Sequence, residues 1–332
     1  MEDKTLERAV VIEVQRESCV CLHDGAEIVC ELRLSEDGEL PTVGDEAACE
    51  RSGGTWYLRE LLPRRSCFYR RAVDPNVVRR QPVAANFDYV FIVQALGHDF
   101  NLPRLERYLA AAWQSGGTPV VLLSKADTCP NAAECVASAA SVAVGAEVYA
   151  ISALTGEGLD ELEKYLAPES TLVLLGSSGV GKSTLVNALA GEELMTTGAV
   201  RESDERGRHT TTYRRMLLLP SGARIIDTPG MRTLGLTSTE GLGEVFDDVQ
   251  RALDRGCRFR DCKHEGEPGC AITAAIADGS LDRSRWERYK KLRDETERTE
   301  RGLMRHQQFK ERKAERRGRK NSRRTDDRWE DD

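Results

Sequence analysis

Gly176-Ser-Ser-Gly-Val-Gly181-Lys182-Ser183 matches G-x-x-x-x-G-K-[S/T] in full. Residues of these types at this spacing bind phosphate. The glycines let backbone N–H groups turn inward around phosphate oxygens. Lys182 places a charge between the β- and γ-phosphates, and Ser183 offers an oxygen to Mg²⁺. The start of the following helix adds its partial positive charge. The nucleotide-contacting set read from this loop is Gly176, Ser177, Ser178, Gly179, Val180, Gly181, Lys182, Ser183 and Thr184. Asp227-Thr-Pro-Gly230 follows an apolar strand ending at Ile226. An Asp at a strand end beside the P-loop strand can hold Mg²⁺, directly or through water, and the Gly230 N–H can meet the γ-phosphate.

The choice between ATP and GTP rests on two further segments. A GTPase should carry N-K-x-D at a strand end and then a short S-A loop, and nothing downstream of Gly230 fits. Upstream, Pro119–Leu123 runs into Ser124-Lys125-Ala126-Asp127, and Tyr149–Ile151 runs into Ser152-Ala153. Asp127 can accept from guanine N1–H and from its exocyclic amine, a donor pair adenine lacks. The Lys125 stem covers one face of the base, and the Ala153 N–H suits guanine O6. Either segment alone recurs by chance. Both in order, each after a strand, favour guanine. An ATP-using enzyme such as a kinase remains the alternative.

Cys257-x4-Cys262-x-His264-x5-Cys270 offers three potential thiolates and one imidazole, a full tetrahedral set for one structural Zn²⁺. Cys19, Cys21, Cys30, Cys49, Cys67, Cys129 and Cys135 read as buried small apolar residues or free thiols. Cys19 and Cys21 share one strand face, and no further ligand pair is apparent for them.

These residues need three kinds of support. Residues 1–75 carry five short strand-like runs with turns at Asp24-Gly25, Asp37-Gly38 and Gly53-Gly54, which predicts an OB-type β-barrel. Residues 80–240 alternate apolar strand runs with helical patterns at Leu102–Ala112, Leu159–Leu166 and Ser183–Ala190, an α/β P-loop domain. Residues 245–332 are expected to form a mostly helical zinc-binding domain with a basic tail. The base-reading segments precede the phosphate-binding ones, so the order is circularly permuted. A short link, Ala167 to Ser170, joins the usual last helix to the usual first strand, and the sheet can stay unchanged. The second switch, residues 231–245, then feeds the C-terminal domain and is expected to transmit the γ-phosphate state to it.

The chain has 332 residues, 40% of them hydrophobic and 6% aromatic, with a net charge of −7. That suits a multi-domain globular protein and not a disordered one. No run approaches the roughly 18 apolar residues of a membrane span. No secretory leader is evident, so the cysteines are read in a reducing cytosol. From Arg301 to Arg324 there are 11 Lys/Arg against two acids, so the rest of the chain is strongly acidic. Such a tail seeks an anionic partner, RNA or a membrane surface. No amphipathic apolar face supports a membrane. Eight arginines between Arg51 and Arg80 are interleaved with Trp56, Tyr57, Phe68 and Tyr69, a pattern that suits RNA where these aromatics are not core.

The chain resembles the circularly permuted, ribosome small-subunit-dependent GTPases of bacteria over nearly its whole length. The resemblance is carried by Thr42-Val-Gly-Asp45, Pro63-Arg-Arg-Ser66, the stretch from Phe100-Asn-Leu through Arg107-Tyr108-Leu109, Gly207-Arg-His-Thr-Thr-Thr212, Asp227-Thr-Pro-Gly-Met231 and the Cys/His cluster. It implies Mg²⁺-dependent hydrolysis of GTP to GDP and phosphate, used in late maturation of the small ribosomal subunit. It also implies contact with that subunit's rRNA, a cytoplasmic location and a monomer. Met231 stands where a glutamine usually orients water, and the resemblance assigns that role to His209 and the switch Mg²⁺ ligand to Thr211. His209, Lys182 and Thr211 are then the expected catalytic residues. Ser124 departs from the usual Asn. Guanine preference should survive through Asp127, with affinity reduced by about 1 kcal/mol for one lost hydrogen bond. An RNA-binding protein whose nucleotide only stabilises its fold is the second reading.

Overall fold

The computed structural model describes residues 6–34, 39–71, 80–195, 215–227, 236 and 239–326. Five strands, β1 (Leu6–Val14), β2 (Ser18–His23), β3 (Ala26–Leu32), β4 (Glu46–Ser52) and β5 (Thr55–Leu61), close into a barrel in the order β1-β2-β3-β5-β4. Alternation along the strands sends Val11, Cys19, Cys21, Cys30, Ala47, Cys49 and Leu58 inward, all fully buried. This is the OB-type barrel expected.

The barrel meets the next unit at Gly44. A Cβ there would lie 2.0 Å from the Ala85 carbonyl oxygen, at φ +91°, so only glycine permits the approach. Asp45 is buried beside it, accepts from the Thr42 N–H at 2.8 Å and holds Arg64 at 2.6 Å. Burial works against the Arg64 charge, but Asp45 outweighs it and stabilises the guanidinium. A ribbon of β6 (Cys67–Arg71) and β7 (Arg80–Ala85) follows. Phe68 is buried and stacks on Phe87 at 4.9 Å, so it is core and unavailable to RNA.

The central sheet has six strands in the order β10-β9-β8-β11-β13-β12. They are β8 (Tyr89–Ala95), β9 (Thr118–Ser124), β10 (Glu147–Ala150), β11 (Thr171–Leu175), β12 (Met216–Leu218) and β13 (Arg224–Ile226). All pairs are parallel except β12–β13. The P-loop strand β11 lies between β8 and β13, although β8, β9 and β10 all precede it in the chain. The permuted order therefore leaves the sheet intact. The segment read as a helix over Leu159–Leu166 is a 3₁₀ helix, Asp160–Tyr165, whose Leu162 and Tyr165 pack on the sheet.

Helix α1 (Leu102–Ser115) is capped by the Asn101 side chain, which accepts from the Arg104 N–H at 2.9 Å, and it ends at Gly116 with φ +85°. Helices α2 (Ala132–Ala140) and α3 (Lys182–Ala190) complete the α/β unit. Beyond it come α4 (Glu240–Val245), α5 (Asp247–Asp254), α6 (Ala271–Ala277) and the 44-residue α7 (Arg283–Asp326). Gly241 brings α4 onto α1, since a Cβ there would sit 2.1 Å from the Ala110 carbonyl oxygen. Glu106 on α1, with no exposed surface, accepts from Arg285 and Arg288 of α7, each at 2.7 Å. Arg107 forms a two-bonded pair with Glu295, at 2.7 and 2.8 Å.

Candidate functional site

The P-loop follows β11 and leads into α3, as the motif requires. Gly176 has φ +154°, and a Cβ there would meet the Val93 carbonyl oxygen at 2.3 Å, so the loop cannot start with any other residue. Gly181, at φ +95°, turns the chain into α3, whose first residues are Lys182, Ser183 and Thr184. The Lys182 ammonium donates to the carbonyl oxygens of Gly176 (2.8 Å) and Ser177 (2.6 Å), folding over the loop it would share with phosphate. Asp227 directly follows β13, the strand paired with β11. Ser183, at the start of α3 after β11, and Asp227, after β13, therefore follow neighbouring parallel strands and leave the sheet at the same end, and hydroxyl and carboxylate oxygens are the donor types Mg²⁺ takes. His209, Thr211, Gly230 and Met231 lie outside the described residues.

The base-reading segments arrive at the same cleft. β9 and β10 pair with Leu123 beside Ala150, so the loops that follow them are neighbours. The Ala126 N–H donates to the Ile151 carbonyl, 3.1 Å, and locks them together. The fully buried Ser152 accepts from the Thr155 N–H at 3.2 Å, while its own N–H donates to the Glu157 carbonyl. A cleft of about 290 Å³ is lined by Asp127, Ser152 and Ala153 on one side and Val180, Gly181 and Thr184 on the other. Thr128, Leu154 and Leu185, which no motif singles out, line it too.

Two links between the halves explain why Ser124 and Lys125 suit this place. The Ser124 hydroxyl donates to the Val180 carbonyl at 2.6 Å, bracing the P-loop from β9. Lys125, at φ +61°, stretches its ammonium to the Gly179 carbonyl at 2.9 Å, laying its stem across the cleft. Ser124 therefore keeps the bracing role available to an Asn. Ser124→Ala removes the donor and leaves a loop carbonyl unpaired, so nucleotide affinity is expected to fall by about fivefold, near 1 kcal/mol. Titration with a fluorescent guanine nucleotide reads this, and unchanged affinity would show the brace is dispensable. Arg104 was not singled out in the sequence, yet it donates to the P-loop Ser177 hydroxyl at 2.8 Å and pairs with Asp99.

The second centre is the Cys/His set. His264, at φ +61°, places Nδ1 at 3.5, 3.7 and 3.5 Å from the sulfurs of Cys257, Cys262 and Cys270. Zn–S and Zn–N bonds at the tetrahedral angle give an S···N edge of about 3.5 Å, so the donors fit one Zn²⁺. Glu267 ties the intervening loop by accepting from the Lys263 and Glu265 N–H groups at 2.9 and 2.7 Å. Backbone N–H groups hold its carboxyl down at about 2. The Ala271 N–H donates to Cys257 Sγ at 3.4 Å, an outer contact that favours a thiolate. His264 packs edge-on against Trp286 of α7, 5.4 Å between centroids, so the set is anchored to the long helix.

On the barrel surface Arg33 lies 3.7 Å above the Tyr57 ring, and Arg51 and Arg59 lie near Trp56 and Tyr57. Arg64 and Arg65 are committed to Asp45 and Asp88. The basic run from Arg312 to Arg324 lies on the backbone of α7, and its side chains lie outside the described residues.

Residues 61–237 match the family model described as RsgA GTPase. Among similar proteins, "Small ribosomal subunit biogenesis GTPase RsgA 1" of Listeria innocua is 47% identical over 259 residues, 77% of this chain and 72% of that one. "Small ribosomal subunit biogenesis GTPase RsgA" of Methanosarcina acetivorans is 45% identical over 265 residues, 79% of this chain and 71% of that one. The crystal structure of YjeQ from Thermotoga maritima superposes with a TM-score of 0.65 and 25% identity, covering 88% of this chain and 99% of that one. YloQ, described as a circularly permuted GTPase, gives 0.61 at 24% identity, covering 88% and 96%, and supports the fold.

Proposed function

The chain belongs to the RsgA GTPase family and is a P-loop enzyme that hydrolyses GTP, and on that premise we propose that it acts as a late maturation factor of the small ribosomal subunit, gripping the subunit's rRNA. The observation that carries the nucleotide part is the single cleft in which Asp127, Ser152 and Ala153 face Val180, Gly181 and Thr184. Asp127 selects guanine, and the loop from Gly176 to Ser183 cradles the phosphates. Lys182 leaves its carbonyl partners for the β- and γ-oxygens and stabilises charge there. Ser183, Thr211 and Asp227 would hold Mg²⁺, which neutralises developing charge when bound. Gly230 meets the γ-phosphate, and His209 orients the attacking water in place of glutamine.

The ribosomal part is supported by the names its relatives carry and by Arg33, Arg51, Trp56 and Tyr57 on the barrel. The basic stretch of α7 would add phosphate contacts. Among the described residues no helix is long and apolar enough to cross a membrane. A cytoplasmic monomer fits these partners. The three units proposed are residues 1–75, 80–240 and 245–332.

GTP turnover with and without purified small subunits tests the reading. Subunits should stimulate turnover, and His209→Ala should lose most of that stimulation while still binding GTP. Absence of stimulation at saturating GTP would favour an RNA-binding protein with a structural nucleotide.

Zn²⁺ held by Cys257, Cys262, His264 and Cys270 is part of the same proposal. Removing it with a chelator is expected to change Trp286 emission, through the His264 contact, and to lower the thermal midpoint of the C-terminal helices. Unchanged emission and midpoint after verified metal loss would refute a structural role.

A further inference from the structure

The cysteines of the barrel do not behave as scattered core residues. Cys21 on β2, Cys30 on β3 and Cys49 on β4 bring their sulfurs within 4.8 Å of one another. Cys30 and Cys49 are 3.7 Å apart, although 19 residues separate them in the chain and β5 lies between their strands. Cys19 pairs in register with Cys30 and shares the inward face of β2 with Cys21. All four have no exposed surface.

We propose that Cys21, Cys30 and Cys49, with Cys19 completing the set, form a metal site inside the N-terminal barrel that takes one thiophilic divalent ion, Zn²⁺.

The geometry suits such an ion. Zn–S bonds in a tetrahedron give an S···S edge of about 3.8 Å, so the Cys30–Cys49 separation is already an edge. The spans from Cys21, at most 4.8 Å, close with shifts of about 1 Å or less, and Cys19, which lies outside this trio, turns inward from the same face of β2 to complete the set. Sulfur-only donors select soft or borderline ions over Mg²⁺ or Ca²⁺. The surroundings point the same way. The buried core of this barrel consists of Ala9, Val11, Cys19, Cys21, Cys30, Ala47, Cys49 and Leu58. Half of these are cysteines and two are alanines, so the fully buried centre holds little hydrocarbon, and the larger apolar side chains around it, such as Ile28, Leu32 and Trp56, are only partly buried. Small cores of this kind usually need a staple, and a metal–thiolate centre is one. A disulfide fits less well, because bonding distance between sulfurs is about 2.05 Å and no paired strands present two of these sulfurs at that spacing.

Burial also sets how the ion enters. No ligand is reachable from solvent, so loading must accompany closure of the barrel. The C-terminal set differs, since Cys257, Cys262 and His264 are only half-buried. A chelator should therefore strip the folded full-length chain in two phases, the C-terminal ion first.

The test is the zinc content of the purified full-length chain by elemental analysis, alongside its intact mass. Two ions per chain are expected. A C262A/H264A variant, with the C-terminal set dismantled, should retain one, and adding C49A should remove it. The barrel site is thereby judged separately from the C-terminal one. No ion in the wild-type chain, none in C262A/H264A, or one still present after C49A is added would overturn the proposal, whereas one ion in the wild-type chain that survives in C262A/H264A would remove only the C-terminal site. A wild-type mass two hydrogens low, the signature of a disulfide, would also overturn it. If the C49A variant fails to fold, the count in C262A/H264A still decides.

Discussion

Asp127→Asn is expected to weaken GTP and GDP binding by about 10²- to 10⁴-fold and to create affinity for xanthine nucleotides. Two hydrogen bonds to a carboxylate, at about 1.5–3 kcal/mol each, account for the loss. An amide can present its oxygen to one of guanine's two donors, and its NH₂ then opposes the other. Xanthine carries a carbonyl in place of the exocyclic amine and accepts from that NH₂. The fold should be untouched, because Asp127 is exposed on the 3₁₀ turn Ala126–Thr128. Competition between guanine, xanthine and adenine nucleotides reads the outcome. Retained guanine selectivity would move base recognition away from this cleft.

Glu106→Ala should destabilise the chain by about 3–5 kcal/mol, the cost of removing one partner from a buried ion pair. Glu106 is fully buried and accepts from Arg285 and Arg288 together. Arg285 keeps Asp248 and the Val245 carbonyl, whereas Arg288 keeps the Ser284 hydroxyl. The loss should fall on the seam between α1 and α7, so hydrogen exchange should rise there first. A drop below 1 kcal/mol in denaturant titration would show that the seam rests on the apolar contacts of Phe246, Trp286 and Tyr289 instead.

The nucleotide loops were legible in the sequence because their chemistry is local. A contiguous run from Gly176 to Ser183 carries its own strand and helix context, and Asp127 and Ser152 lie three and two residues past the ends of β9 and β10. The five barrel strands were legible from turn spacing. What the sequence could not give were contacts between residues far apart. Nothing in the runs around Cys21, Cys30 and Cys49 announces that barrel closure will gather them. Arg104 looks like an ordinary surface helix residue until α1 is laid beside the P-loop. Phe68 had the composition of an RNA platform and is core because Phe87 stacks on it. The segment Leu159–Leu166 had helical spacing, and it folds as a 3₁₀ helix over Asp160–Tyr165, a form used in short pieces.

The placement of β11 between β8 and β13 bears on how the chain is made. Synthesis runs from the N-terminus, at about 5–20 residues per second. β8, β9 and β10 emerge first and can assemble the guanine-reading side as a half-sheet. β8 then presents one bare, mostly apolar edge until Thr171–Leu175 is released. Such an edge invites pairing with another nascent chain. The folded barrel stands directly upstream and the acidic 3₁₀ segment Asp160–Tyr165 directly before β11. A ribosome stalled between Ala153 and Thr171 would therefore hold the molecule at its most aggregation-prone length, with the base-reading loops made and no phosphate loop to close on them.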